Sequence, residues 1–154
     1  ATDRCKMYCG EKNQMYSAMS EELARMYNAA GRREESLACH LAVRNQLLKN
    51  GYREGSMLLM VDNNMSVVYL DLGRPEEAIP YLTEALELTK ENGLVGSAVA
   101  EPTWNLARVY RALGDEEKED IYLKAAVEGF RECYPPEHPK RIAAEQRLKE
   151  RQGE

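Results

Sequence analysis

The residues with the chemistry for catalysis are few and scattered. His40 and His138 are the only imidazoles in the 154-residue chain. Neither belongs to a Ser, Cys or Asp constellation of the kind that nucleophilic catalysis needs. His40 falls in a helical column otherwise filled by Leu82 and Leu123, so it reads as a packing residue. Cys5 and Cys9 are one helical turn apart, and Cys39-His40 could approach them by stacking. Zinc, however, needs four convergent ligands and usually a short CxxC-type knuckle, which the sequence lacks. The thiols, with Cys133, therefore read as free. Adjacent acids such as Glu76-Glu77 read as solvated charge in the first turn of a helix. No catalytic residue, metal site or cofactor is expected.

A second set of residues suits binding. Asn63, Asn64 and Asn105 carry amides that can donate to and accept from a peptide group. Trp104, the only Trp, supplies a flat apolar wall with a polar handle. Arg108 and Arg111 are one turn apart and can clamp a carboxylate. Arg25 belongs to the same face of an earlier segment, beside Glu21, Glu22 and Asn28. The competing reading is that these side chains are solvated or bond to an adjacent helix. Trp104 then packs between repeats, and Glu21 and Glu22 satisfy Arg25.

The elements that must position these residues follow from an internal repeat. Three segments, LARMYNAAG, MSVVYLDLG and LARVYRALG, end at Gly31, Gly73 and Gly114, spaced by 42 and 41 residues. Leu23, Met65 and Leu106 share a column, as do Ala24, Ser66 and Ala107, and Tyr27, Tyr69 and Tyr110. A large apolar, a small and a Tyr residue at these offsets form one helical face with a site for close approach. A second helix follows each glycine, opened by Glu34-Glu35, by Pro75-Glu76-Glu77, or by Asp115 to Glu117. Its inner columns are Leu37/Ile79, His40/Leu82/Leu123 and Val43/Ala85/Ala126. Such a pair buries its faces only by stacking on neighbours. The expected class is all-α, an α-solenoid of antiparallel helix pairs.

The expected organisation is residues 1–10 as the tail of a preceding second helix, three repeats over 11–51, 52–93 and 94–136, and a terminal or capping helix over 137–154. Both ends read as cut from a longer array. Pro102 should delay or kink the first helix of the third repeat. The basic run Lys140-Arg141, Arg147, Lys149, Arg151 is interleaved with Glu145 and Glu150, and reads as a solvated helix.

Composition narrows the function classes. Val, Ile and Thr make up about a tenth of the chain, and Ala, Leu and Glu more than a third. That balance favours helix over sheet. The longest apolar stretch, Met57 to Val61, is too short for a membrane span. A net charge of −5 argues against a nucleic-acid surface. Four scattered cysteines are not a secreted disulfide framework, so a reducing, cytoplasmic location is expected.

The pattern of small residue, Tyr, Gly and then small residues in the second helix resembles the tetratricopeptide repeat. The 41–42 residue period, the run NNMSVVYLDLGRPEEAIPYLTEALEL with Pro80 inside its second helix, and YPPEHP at Tyr134 to Pro139 are similar to the kinesin light chain type. Cys9-Gly10-Glu11 resembles a degenerate copy of the same inter-repeat connection. Ser36 and Glu119 depart from the pattern, in the column where Ala78 fits it. The resemblance implies that first helices line a concave groove and that an Asn at the Asn64/Asn105 column grips the backbone of an extended peptide. A common variant clamps the acidic tail of heat-shock chaperones with Lys and Asn. Glu21 and Arg25 stand at those positions, so that specificity is not expected.

The function expected is a protein–protein interaction module that holds an extended peptide or partner helix in its groove, through Asn63, Asn64, Trp104, Asn105, Arg108, Arg111 and Arg25. The alternative is a sensory or regulatory segment of a larger signalling protein, such as a bacterial regulator, whose output lies elsewhere. Partners are expected to be protein, neither nucleic acid nor membrane, with self-association through the end helices as a further expectation.

Overall fold

The computed structural model describes residues 2–51 and 56–153, with side chains described at 15 and from 17 onward. Among these residues it holds seven α-helices and no strand. They are α1 (Thr2–Ala29), α2 (Arg33–Lys49), α3 (Ser56–Asp71), α4 (Pro75–Glu91), α5 (Ser97–Leu113), α6 (Glu116–Cys133) and α7 (Pro139–Gln152). The chain divides into two compact units, Ala1–Arg53 with α1 and α2, and Glu54–Glu154 with α3 to α7.

Each short turn between paired helices depends on a left-handed residue. Gly73 has φ 71°, its N–H bonds to Leu70 O at 3.0 Å, and Arg74 N–H reaches Tyr69 O at 2.9 Å. This closes the end of α3 and reverses the chain, a conformation that a side chain would strain. Gly114 repeats the geometry, and Asp115 then caps α6 by accepting from Lys118 N–H at 3.1 Å.

The repeat columns become the packing seams. Ala24, Ser66 and Ala107 are buried. Tyr69 stacks on Tyr81, and Tyr110 on Tyr122, with ring centroids 5.8 and 5.5 Å apart. Cys39 holds the register position of Tyr81 and Tyr122, so the first unit lacks this second ring. α5 and α6 approach tightly at Gly129 of α6, where an added Cβ would lie 2.9 Å from the Cβ of Ala100 on α5.

Several expectations are corrected. α5 begins at Ser97, so Pro102 does not delay the helix but lies inside it and is buried. α1 runs without a break through Gly10, where the sequence suggests a connection. The side chains of Cys5 and Cys9 lie outside the described residues. Glu21 is buried rather than presented on a polar face, and its carboxylate lies 2.8 Å from His40 Nδ1.

The terminal basic run is docked rather than solvated. Glu119 is buried and accepts from Arg147 at 2.7 and 3.1 Å, while Arg151 donates to Asp120 at 2.8 Å. Arg131 reaches Glu145 at 2.7 Å, and Ala144 of α7 enters the core formed by Leu123, Val127 and Phe130. An acid thus fills the small-residue column at Glu119 because α7 brings guanidinium groups to it. Ser36, the other departure, donates to Ala24 O at 2.7 Å across the α1/α2 seam.

Candidate functional site

Within the second unit, α3 and α5 line a surface groove. Its wider part is a cavity of about 420 Å³, walled by Leu59, Met60, Leu94 and Pro102 and edged by Asn63 and Asn64. A narrower pocket of about 100 Å³ adjoins Asn63, Asn64, Trp104, Asn105 and Arg108. The helical spacing makes this possible: residues 101, 104, 105 and 108 of α5 fall on one face, as do 60, 63, 64 and 67 of α3.

A chain of hydrogen bonds crosses the groove floor. Asn105 donates from Nδ2 to Asn63 Oδ1 at 2.7 Å, and its own Oδ1 accepts from Arg108 Nη1 at 3.2 Å. Asn105 is only 5% exposed. Its amide therefore links α3 to α5 and aims Arg108, with both ends engaged inside the chain. Asn63 and Asn64 are half-buried at the groove edge. Trp104 is also half-buried and meets Phe130 edge-on, with centroids 6.4 Å apart, so it is at once groove wall and part of the α5/α6 packing.

The cations divide into two kinds. Lys140 pairs with Glu101, which also accepts from the Tyr134 hydroxyl at 2.6 Å. Burial and this bond to Glu101 push the Tyr134 hydroxyl up to about 12. Arg108, half-buried, and Arg111, exposed, have no carboxylate partner among the described residues. At the narrower pocket, Arg108 thus brings a positive charge with no carboxylate partner among the described residues. Arg25 lies in the first unit, exposed, and pairs with Glu22 at 3.2 Å rather than with Glu21.

Sequence reasoning did not foresee that Glu101, on the groove face, would bond both Tyr134 and Lys140. Their contacts join positions 33 and 39 residues apart. The available signal was YPPEHP, which positions His138 to stack on Tyr134 at 3.8 Å and to cap α7 through Lys140 N–H. Among the described residues, no group of three or more His, Cys, Asp or Glu is placed to hold a metal. Nor is any helix long and apolar enough to cross a membrane.

Helix pairs repeated at this period, stacked through small residues and turned at glycines, define a helical-repeat protein. The sequence model of the Tetratricopeptide repeat family matches residues 14–91 and 56–132, more than half of the chain. The chain belongs to the tetratricopeptide repeat family, and its repeats have the kinesin light chain-like fold.

A crystal structure of BtubC (BKLC) from P. vanneervenii superposes with a TM-score of 0.75 at 18% identity, covering 92% of this chain and 65% of that one. TPR-like repeats of a Podosopora anserina kinesin light chain superpose at 0.76 with 23% identity, covering 87% of this chain and 64% of that one. At these identities the likeness is one of fold. The chain spans just under two thirds of the length of both structures. No curated protein matches it in sequence. Proteins of this family are generally protein–protein interaction modules and typically non-enzymatic.

Proposed function

We propose that the α3/α5 groove holds an extended peptide or a partner's helix and reads an acidic group on it. The observation that carries this reading is Arg108, which lines the narrower pocket and has no carboxylate partner among the described residues, with the exposed Arg111 one turn further along α5. Guanidinium groups suit carboxylates through bidentate bonds. In the proposed complex, Asn63 and Asn64 bond the peptide backbone, Trp104 flanks an apolar side chain, and Asn105 holds the floor in register. Reading an acidic protein partner this way is compatible with a cytoplasmic scaffold.

The test is selection from a random peptide library, followed by fluorescence anisotropy on the native chain, on Arg111→Glu and on Asn64→Ala. The Arg111 side chain is exposed, so its reversal should leave the fold intact. Selected peptides should be acid-containing and should lose at least about tenfold in affinity on Arg111→Glu. Unchanged affinity in both variants would place the binding surface elsewhere. Self-association through an end helix is a separate reading, favoured by the exposed apolar side chains of α1.

A further inference from the structure

Resting on that reading of the groove, we infer that the narrower pocket is a hydrogen-bond donor site that takes a carboxylate and rejects the isosteric amide. Asn105 is the positioning residue that sets this polarity. Arg108 leaves the network no freedom. A guanidinium carries N–H donors alone, so the Asn105 atom 3.2 Å from its Nη1 must be Oδ1. Asn105 then faces Asn63 with Nδ2, and the Asn63 atom 2.7 Å away must be the acceptor Oδ1. Both amides are thereby fixed end for end. Asn63 is left with Nδ2 and its two N–H groups, which have no partner among the described residues and are not shut away from solvent.

The pocket beside them has a volume of about 100 Å³, which at about 30 Å³ per water molecule admits a group of a few heavy atoms. Asn63, Trp104 and Arg108 all line it. Its open donors are therefore Asn63 Nδ2, the Trp104 indole N–H and the remaining N–H groups of Arg108. The nearby acceptors are engaged. Asn63 Oδ1 is taken by Asn105, Asn105 Oδ1 by Arg108, and the two Glu101 oxygens by the Tyr134 hydroxyl and by Lys140. Asn64 carries both a donor and an acceptor, so it favours neither polarity. Lys140 and Glu101 offset each other, which leaves the lining with the charge of Arg108.

A carboxylate matches this lining at every point. Both its oxygens accept, and its charge is opposite to that of Arg108. The amide of a Gln or Asn side chain has the same shape, but its NH2 end would face N–H groups and stay unpaired on leaving water. A site built from hydrogen bonds rejects an isostere by that means. Asn105 contributes without reaching the ligand. It is buried and bonded on both sides, and it acts through Asn63 and Arg108.

The experiment takes the tightest acid-containing peptide from the library selection and finds the acidic residue whose change to its amide costs the most. That residue is then made in three forms of equal size: carboxylate, amide and methyl ketone. The ketone is neutral like the amide but only accepts, so the comparison of these two is free of net charge. The native chain should bind the carboxylate form at least about tenfold, and the ketone at least about threefold, more tightly than the amide. In Asn105→Asp, position 105 accepts on both sides, so Asn63 must turn to donate to it and shows Oδ1 to the pocket. The ketone's advantage over the amide should then vanish or reverse, a ratio that lost stability alone does not move. The ¹⁵N-attached proton signals of the Trp104 indole and the Asn63 side chain should shift when peptide binds the native chain. An amide that binds the native chain as tightly as the ketone, while those signals shift, overturns the inference alone and requires no variant. An unchanged ratio in a folded Asn105→Asp overturns the positioning role of Asn105. Selection of no acid-containing peptide, or binding that leaves both signals in place, overturns the inference and the groove reading together.

Discussion

Glu21 and His40 place a carboxylate and an imidazole 2.8 Å apart in the first unit, 3% and 1% exposed. Such a pair is costly to desolvate, and removing one member leaves the other with a lost partner in a poorly solvating site. His40→Leu, although it restores the residue type of Leu82 and Leu123, should therefore destabilise the first unit by about 3 kcal/mol. The Glu21→Leu/His40→Leu double variant should cost less than the sum of its singles. Urea titrations followed by circular dichroism measure both, and additive losses would show that the two side chains do not act as a pair. In the second unit the corresponding contrast is between Asn105 and Arg111. Asn105→Ala abandons Asn63 and Arg108 at a buried position, so it should lower stability by about 1–2 kcal/mol. Arg111→Glu should leave the unfolding midpoint unchanged. The aligned Asn64/Asn105 column was legible from spacing alone. That Asn105 would bond Asn63 was not, because column arithmetic places Cα atoms on a face but does not say which amide crosses to the next helix.

At the scale of the helix, the small, Tyr and Gly columns were readable because each recurs at a fixed period and each has a steric reason. α7 was misread for the opposite reason. Its Arg and Glu residues look like a solvated helix in isolation, and their partners Glu119, Asp120 and Arg131 lie on α6. The Arg151 guanidinium beside Asp120, and chiefly Arg131 beside Glu145, hold those carboxyls below their ordinary values of 3.8 and 4.5. A depressed carboxyl contributes stability above its unfolded value and loses it as pH falls through the folded one. The docking of α7 should accordingly be constant at neutral pH and weaken below about pH 4. Thermal midpoints between pH 6 and 3 should fall more steeply in the native chain than in Asp120→Asn. Parallel curves would dissociate the acid response from this contact. Gly129 makes a steric statement of the same kind. Gly129→Ala gains helix propensity but drives a Cβ to 2.9 Å from that of Ala100, so a net loss of about 1–2 kcal/mol is expected. A stabilised variant would mean that α5 and α6 separate without cost.

Across the whole chain, the two units differ in how much core each owns. The unit Glu54–Glu154 holds five helices and a cluster in which α5, α6 and α7 share Ala100, Ala107, Leu123, Val127, Phe130 and Ala144. The unit Ala1–Arg53 holds two helices, and its buried apolar side chains are Ala24, Leu37, Val43 and Leu47 among the described residues, with Met15, Met19, Leu23 and Met26 exposed. Burial supplies the main favourable term in folding, so the first unit has less to set against the entropy of its chain. In helical-repeat proteins stability is summed from local units and their interfaces, and cooperativity need not extend over the array. Trp104 is the only Trp and lies in the second unit, so its fluorescence reports that unit alone, whereas circular dichroism reports all seven helices. Unfolding in urea should therefore give a dichroism transition that starts at lower denaturant than the Trp104 transition, the early part being the loss of α1 and α2. Coincident transitions would instead show that the chain unfolds as one cooperative body.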